Sequence, residues 1–345
     1  MGAPTGRSAE LATVMQIDQR PIVHIGHHKT GTTWLQKSFY PAVTSHRFID
    51  SRVVREALLA PNGLSFDAGR ARNLILGEAA GISPLLCDER LSGSYLAGGL
   101  HGMVPPEVAR RIKATLPDAR IVIGIRAQPS MLAACYSQYV KDGGTFGVKH
   151  FLFPDSYFVA ASEHRAHAPR FDLAHFEYQR LIRLYFELFG KENVHILFFE
   201  QFRAGPLGCA RSLAQKLGIA FDEARVSEEV RNPALNRSAL RIMRFINLFT
   251  ARRARDKSYI VHIPGLFEVR KALHRGLGAV FRHKSSCERL LGQAAAGWIA
   301  ARFARSNRDL GQLLGVDLGA LGYPIITPDM PPPSPLPRWR TLRAT

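Results

Sequence analysis

The chain of 345 residues carries 46 Lys and Arg against 28 Asp and Glu, a formal net charge of +18 at pH 7. Apolar residues make up 46% and charged residues 21%, which is typical of globular proteins and excludes wholesale disorder. No run of about 18 consecutive apolar residues occurs, so the sequence predicts no transmembrane helix.

The N-terminus and the cysteines together favour the cytoplasm. The first twenty residues lack the apolar core of a secretory signal, so we expect no export. Four cysteines lie far apart, and no Cys-x-x-Cys pair occurs among them. This spacing argues against a zinc knuckle or a redox pair and predicts reduced thiols in a cytoplasmic protein.

The positive charge is concentrated towards the C-terminus. Residues 231–345 contain 20 basic and 6 acidic side chains, a net charge of +14. Such a bias suits an anionic partner, which could be a phosphorylated cofactor, an acidic glycan, a membrane surface or a nucleic acid. The alternative is a basic surface that only keeps the protein soluble. Few aromatic residues interleave with these arginines, so the sequence disfavours nucleic acid and keeps peripheral contact with an anionic surface as an expectation.

Short apolar runs alternate with longer helical stretches, which predicts an α/β fold with parallel strands. The predicted strands are 22–25, Pro84–Cys87, Arg120–Ile125 and 194–199. The predicted helices are 31–40, 106–115, 129–140, 171–189, Pro206–Leu217, 235–249 and Gln293–Leu314.

The predicted organisation is a single domain with two flanking segments. Residues 1–20 form an N-terminal extension, 21–325 the α/β domain, and 326–345 a Pro-rich mobile tail. Irregular stretches at about 142–170 and 250–292 are the predicted substrate loops.

The segment after the first strand has the composition of an anion-binding loop. Residues 21–36 read PIVHIGHHKTGTTWLQ, in which Gly26, Gly31 and Thr33 have the spacing of a Walker A loop. Thr32 stands where that loop has its lysine, and the lysine lies three residues earlier, at Lys29. Free backbone N–H groups at the start of a helix favour a phosphate there, and the displaced lysine favours one 5′-phosphate with a transferable group.

This loop resembles the 5′-phosphosulfate loop of sulfotransferases that use 3′-phosphoadenosine 5′-phosphosulfate (PAPS). The family pattern is roughly K-[ST]-G-T-T-W, and residues 29–34 match it throughout. The resemblance implies a P-loop-like three-layer α/β/α sandwich with a central parallel sheet, PAPS as the sulfuryl donor and 3′-phosphoadenosine 5′-phosphate (PAP) as the product. It implies these cofactor-binding residues: Lys29, Thr30, Gly31, Thr32, Thr33, Trp34 and Arg126. His28 lies inside the same loop and is a further cofactor-binding candidate, because it could hydrogen-bond the sulfuryl group.

Two of these positions carry particular roles in the family. Arg126 follows a strand directly and matches the arginine that holds the 3′-phosphate, but the serine that the family has eight residues later is Ala134 here. Ser130 and Ser137 lie one helical turn away and are candidates to replace it. Trp34 matches the position that stacks on adenine, with plain core packing as the alternative.

The candidate catalytic residues are Lys29, Glu89 and His28. Sulfuryl transfer resembles phosphoryl transfer, so it needs a cation at the leaving phosphate and a base for the acceptor hydroxyl. Lys29 suits the first role. Glu89 follows the second predicted strand, where glycan-type members of the family have a glutamate, and His28 is the alternative base.

We therefore predict a sulfotransferase that acts on a hydroxyl of a carbohydrate or glycolipid and requires no metal. The carbohydrate assignment rests on the choice of Glu89, on the basic C-terminal region, and on the closing segment, which resembles that of bacterial carbohydrate-type members. Two alternatives stay open: a P-loop kinase-like phosphotransferase, and a non-catalytic protein that binds polyanions or nucleic acid through the basic C-terminal region. Against the kinase, Thr32 replaces the Walker lysine and the sequence shows no obvious aspartate at a strand end for Mg²⁺.

Overall fold

A parallel five-stranded sheet forms the centre of the molecule in a computed structural model. The structure describes residues 17–95, 102–152, 173–227, 237–250, 260–266, 268–270 and 286–326. The strands are β1 (Ile22–His24), β2 (Arg47–Phe48), β3 (Pro84–Cys87), β4 (Arg120–Ile125) and β5 (Val194–Phe198). Their order across the sheet is β2-β3-β1-β4-β5, and every neighbouring pair is parallel.

Helices follow or separate these strands along the described chain. They are α1 (Thr32–Trp34), α2 (Ser51–Leu58), α3 (Ala68–Ala79), α4 (Val104–Thr115), α5 (Gln128–Lys141), α6 (Val148–Leu152), α7 (Tyr178–Phe189), α8 (Phe199–Ala204), α9 (Pro206–Leu217), α10 (Arg237–Asn247), α11 (Cys287–Leu291) and α12 (Gln293–Leu314).

The sheet is covered on both faces, because successive residues of each strand point to opposite sides. Ile22 packs with residues of α1 and α9 in one apolar cluster. Its neighbour Val23 belongs to the other cluster, with residues of α2 to α5, α7 and α12. Two apolar cores on one parallel sheet confirm the predicted α/β class and its three layers.

Several boundaries differ from the predictions for local reasons. The helix predicted over 31–40 starts as α1 and continues as a π-helix over Leu35–Phe39. The helix predicted over 171–189 starts at Tyr178, after a 3₁₀ turn over Leu173–Phe176. Helices α2 and α3 were not predicted, although the side chains of Asp50 and Asp67 cap them.

The predicted loops and termini lie partly outside the described residues. Those parts are 1–16, 153–170, 251–259, 267, 271–285 and 327–345. Within what is described, the prediction of irregular structure is wrong at two places, since α6 and α11 are helical. Among the described residues, no helix has both the length and the apolar character needed to cross a bilayer.

Candidate functional site

The loop from Ile25 to Gly31 leaves the carboxyl end of β1, where β3 and β4 flank that strand. Such a position, at the central strand of an open parallel sheet, is where α/β proteins place ligands. The loop is held against β4, because the backbone N–H of His27 donates to the Gly124 carbonyl at 3.1 Å. Thr30 Oγ1 donates to the His27 carbonyl at 2.6 Å. A Cβ added at Gly124 would lie 2.7 Å from Thr30 Oγ1, so the loop packs closely against β4.

Most backbone N–H groups of this loop have no hydrogen-bond partner among the described residues. Lys29 and Gly31 have positive φ angles of 67° and 91°, and alternation of this kind forms an anion-binding concavity. Within the described part of the chain, no N–H from His28 to Thr33 donates a hydrogen bond to a protein acceptor. Unpaired N–H groups at the start of a helix provide donors of the kind that a phosphate or sulfate needs.

The side chain of Lys29 lies against α5. Its Nζ donates to Gln138 Oε1 at 2.5 Å, and Gln138 Nε2 donates in turn to Asp142 Oδ1 at 2.9 Å. Burial lowers the pKa of the Lys29 ammonium, and the carboxylates of Asp142 and Glu89 oppose that shift. Neither the loop motif nor the spacing along the chain signals Gln138 as a partner of the lysine.

Arg126 follows β4 directly and reaches back to the loop. Its Nη1 donates to the carbonyl of Lys29 at 3.0 Å, and its Nε donates to Ser130 Oγ at 2.6 Å. Its guanidinium lies 4.1 Å from the ring centre of Phe199. The hydroxyl beside Arg126 is therefore that of Ser130, four residues on, whereas Ser137 Oγ is buried without a partner among the described residues.

The carboxylate of Glu200 fixes the start of α5 next to Arg126. Its Oε1 accepts a hydrogen bond from the Ala127 N–H at 3.0 Å, and Tyr178 donates to the Arg126 carbonyl at 2.7 Å. Burial lowers the pKa of Arg126, while the charge of Glu200 opposes the shift. These contacts hold the backbone of Arg126 and restrict where its guanidinium points.

Glu89 lies at the same edge of the sheet, because β3 is the neighbour of β1. It begins a 3₁₀ turn over Glu89–Ser92, and its carbonyl accepts a bond from Ser92 Oγ at 2.9 Å. Its side chain is half-buried, and its charge contributes to the pKa of Lys29. The structure thus brings Glu89 into electrostatic range of the loop lysine.

The interpretation that no aspartate follows a strand at this edge is wrong. Asp88 comes directly after β3 and is fully buried, in the place where a P-loop kinase would hold Mg²⁺. Its Oδ2 accepts a bond from Arg55 Nε at 2.5 Å, and its Oδ1 accepts one from the Arg90 N–H at 2.9 Å. Asp88 is therefore engaged by a guanidinium and a backbone group.

The histidines of this region are buried and neutral at pH 7. Burial lowers the pKa of His24 to about 3 and that of His27 to about 4. His24 Nδ1 lies 2.7 Å from the Tyr40 hydroxyl, and His27 Nδ1 lies 3.2 Å from the Gly124 carbonyl. Both rings are thus packed into the body of the domain.

His28 is less buried than His24 and His27. Its ring packs edge-on against Tyr95 at 5.2 Å, and its Nδ1 has no partner among the described residues. Burial, then the charge of Lys29, lowers the pKa of His28 to about 4. His175, which no motif signals, packs its ring 5.1 Å from that of His27.

Trp34 is almost completely buried in the described structure. Its Nε1 donates to the Ser227 carbonyl at 2.8 Å, and its ring lies edge-on to Phe202 at 5.4 Å. This is the arrangement of a core side chain with a satisfied donor. Contact with adenine stays a prediction.

Comparisons with known proteins add one distant likeness. No protein-family model matches the chain, and no curated protein does. A search of solved structures finds a crystal structure of a sulfotransferase from Alicyclobacillus acidocaldarius, with a TM-score of 0.39 and 17% identity over 78% of this chain and 99% of that one. A TM-score this low carries no weight for function, so the proposals below depend on the residues of the loop and of α5. The described residues contain no group of three or more His, Cys, Asp or Glu side chains placed to hold a metal.

Proposed function

We propose that this protein transfers a sulfuryl group from PAPS to a hydroxyl of an acceptor. One observation carries the proposal: the hydrogen bond from Arg126 to the Lys29 carbonyl, which joins two anion-binding elements of neighbouring strands. A donor with phosphate groups at two positions of its ribose requires two such elements side by side. A nucleotide with a single phosphate group would leave one of them without a ligand.

The residues present fit both ends of this cofactor. The unpaired N–H groups from His28 to Thr33 suit the 5′-phosphosulfate, with Lys29 as the adjacent cation. Arg126 and Ser130 suit the 3′-phosphate, since a guanidinium and a hydroxyl both donate to phosphate oxygens. Ser130 then takes the role that the family gives to the residue at position 134.

When bound, PAPS supplies a sulfuryl group whose bond to the 5′-phosphate oxygen breaks as the acceptor oxygen attacks. The ammonium of Lys29 neutralises negative charge at the leaving phosphate, which requires its Nζ to exchange Gln138 for the phosphate. Glu89 accepts the proton of the acceptor hydroxyl at its carboxylate. His28 is neutral at pH 7 and donates or accepts a hydrogen bond at the same place.

The acceptor that we propose is a hydroxyl of a carbohydrate or glycolipid, and the expected compartment is the cytoplasm. The closing segment of the chain supports the first part through its likeness to bacterial carbohydrate-type sulfotransferases. The four cysteines support the second, because each is a free thiol in the structure. No metal takes part in the proposed reaction.

A P-loop phosphotransferase is the second candidate, because the strand order and the place of Asp88 suit one. The pairing of Asp88 with Arg55 opposes it, since a carboxylate that binds a guanidinium is not free to hold Mg²⁺. The cofactor therefore separates the candidates: a sulfotransferase binds PAP without metal, and a kinase binds ADP with Mg²⁺.

The test is calorimetric titration of PAP into the wild type and Lys29→Met, with ADP and Mg²⁺ as the comparison ligand. Lys29→Met removes a hydrogen bond to a charged group, which contributes about 1.5–3 kcal/mol. We therefore expect PAP binding to be roughly 10- to 150-fold weaker in this variant. Lys37→Met is the matched control, because Lys37 is exposed on the helix that follows the loop. Absence of PAP binding to the folded wild type, or stronger binding of ADP with Mg²⁺, would refute the proposal.

The base is tested separately once an acceptor hydroxyl supports turnover with PAPS. Glu89→Gln is expected to lower kcat about 10²- to 10⁴-fold, as general bases do, and to leave PAP affinity within about twofold of the wild type. His28→Gln is compared under the same conditions. If Glu89→Gln retains full kcat and His28→Gln loses it, the histidine is the base instead.

A further inference from the structure

The backbone and the ammonium of Lys29 contact different parts of the site. Its carbonyl, in the loop after β1, accepts a bond from Arg126 Nη1 at 3.0 Å. Its Nζ donates to Gln138 Oε1 at 2.5 Å, on α5. The unpaired N–H groups belong to the loop, so the contact with Gln138 directs the ammonium towards the helix instead. The hydrogen-bond partner of this cation is a neutral amide.

The chemistry of its two neighbours fixes the orientation of the Gln138 amide. An ammonium only donates hydrogen bonds and a carboxylate only accepts them. The amide oxygen therefore faces Lys29, and the amide nitrogen donates to Asp142 Oδ1 at 2.9 Å. The negative charge of Asp142 polarises the amide and makes its oxygen a better acceptor, since hydrogen bonds in a chain strengthen one another.

The turn after α5 holds Asp142 in place. Asn247 Nδ2 donates to the carbonyls of Val140 and Gly144 at 2.9 and 2.8 Å, one on each side of Asp142. The Asp142 N–H donates to the Gln138 carbonyl at 2.8 Å. These bonds fix the backbone that carries both members of the amide–carboxylate pair, so the acceptor for the lysine is preorganised.

The Gln138 amide and an anion at the loop are acceptors for the same ammonium. Burial lowers the pKa of Lys29, because a charged group that loses water needs an acceptor in its place. An anion that draws Nζ to the loop replaces the bond to Gln138, so it gains the difference between two acceptors. A charged phosphate oxygen is a stronger acceptor than a neutral amide, and the anion therefore wins the exchange.

We propose that Gln138, supported by Asp142, competes with the bound anion for the ammonium of Lys29 and so sets how tightly the loop holds that anion. Gln138 is a positioning residue, because it acts through Lys29 and does not contact the ligand. The inference rests on the proposed function and adds to it a residue that lowers the affinity for the cofactor. A neutral side chain at position 138 weakens the grip on PAP and PAPS without abolishing it.

Three chains that differ only at position 138 test the competition. All carry Asp142→Asn, which removes the carboxylate to which Lys29 could otherwise move and supplies an amide donor for a carboxylate at position 138. The first keeps Gln138, the second adds Gln138→Leu and the third adds Gln138→Glu. Calorimetric titration measures the affinity of each for PAP. Gln215→Leu is the matched control, because Gln215 is exposed on α9.

We expect the two added substitutions to change PAP affinity in opposite directions. Gln138→Leu should bind PAP roughly 2- to 10-fold more tightly than the chain that keeps Gln138, because the competing hydrogen bond is gone. Gln138→Glu should bind at least about tenfold more weakly, because the phosphate must displace a charged acceptor. General damage to α5 would weaken binding in both chains, and the control should equal the wild type.

Tighter binding by Gln138→Leu together with weaker binding by Gln138→Glu supports the proposal. Weaker binding by Gln138→Leu shows that the amide aims the ammonium at the anion and overturns the competition, as do equal affinities of all three chains. Inorganic pyrophosphate is titrated beside PAP to separate this result from the proposed function. A wild type that binds pyrophosphate but not PAP refutes the proposed function alone, and the order of the three pyrophosphate affinities then decides the competition. A folded wild type that binds neither ligand overturns both.

Discussion

Replacing Ser130 by alanine tests how this chain holds the 3′-phosphate end of its proposed cofactor. In the structure Ser130 Oγ accepts the bond from Arg126 Nε at 2.6 Å, so its own hydrogen is free to point at a phosphate oxygen. Ser130→Ala removes both contacts without creating a clash. A hydrogen bond to a charged group contributes about 1.5–3 kcal/mol, which corresponds to a loss of roughly 10- to 150-fold in affinity.

The assay compares two ligands that differ by the 3′-phosphate alone. Calorimetric titrations of PAP and of adenosine 5′-phosphate are made with the wild type and with Ser130→Ala. We expect the loss for PAP and a change of less than about threefold for adenosine 5′-phosphate, because the second ligand has no group beside Arg126. Equal losses for the two ligands would show that Ser130 supports the fold of α5 instead of the phosphate.

Ser137→Ala is the matched control on the same helix. The Ser137 hydroxyl is buried and has no partner among the described residues, so its removal costs no hydrogen bond and leaves PAP affinity as it was. If Ser137→Ala weakens PAP binding and Ser130→Ala does not, then the serine that contacts the phosphate has been assigned to the wrong helical turn.

Two further predictions concern the stability of the loop and its surroundings. Gly31→Ala is expected to lower the free energy of unfolding by about 2–4 kcal/mol, because a Cβ at φ 91° is strained and would lie 2.8 Å from Phe202 Cε1. Urea unfolding measures the change in the free energy of unfolding. Gly208→Ala is the control and should be neutral or stabilising, because a Cβ there meets nothing within 4 Å. Equal destabilisation by the two substitutions would contradict the packing argument. The free energy of unfolding should fall as the pH drops from about 6.5 to about 4, because the unfolded state protonates His24 and His27 near 6.5 and the folded state does not. His24→Gln should make that slope shallower by at most about 1.4 kcal/mol per pH unit, and an unchanged slope would rule out a contribution from His24.

The strands and the loop after β1 were predictable because their signals are local. The runs Pro84–Cys87 and Arg120–Ile125 are uninterrupted apolar stretches between turn residues, and both strands have the predicted bounds. The motif of residues 29–34 also fixes where the loop lies once β1 is known. The two-residue strand β2 has no such signal, because two residues are too few to show a period.

The partners of the site residues were not predictable, since they depend on packing between distant elements. Gln138 meets Lys29 across 109 positions of the chain, and Phe199 meets Arg126 because β5 is the neighbour of β4. Asp88 shows the opposite case. Its place directly after Cys87 could be predicted from the strand. Its ion pair with Arg55 could not, because that contact depends on where α2 packs.

Helix α5 fixes the distance between the two cationic parts of the site. Ser130 near its start contacts Arg126, and Gln138 two turns later contacts Lys29, so about 12 Å of helix separates the two anchoring side chains. A rigid helix keeps the spacing of its side chains fixed, whereas a loop can change its conformation when a ligand binds. If the proposed function holds, substitutions in the loop change how tightly PAP is held. A residue inserted into α5 between Ser130 and Gln138 would rotate one side chain against the other by about 100°, and with them the two groups proposed to hold the two ends of PAP.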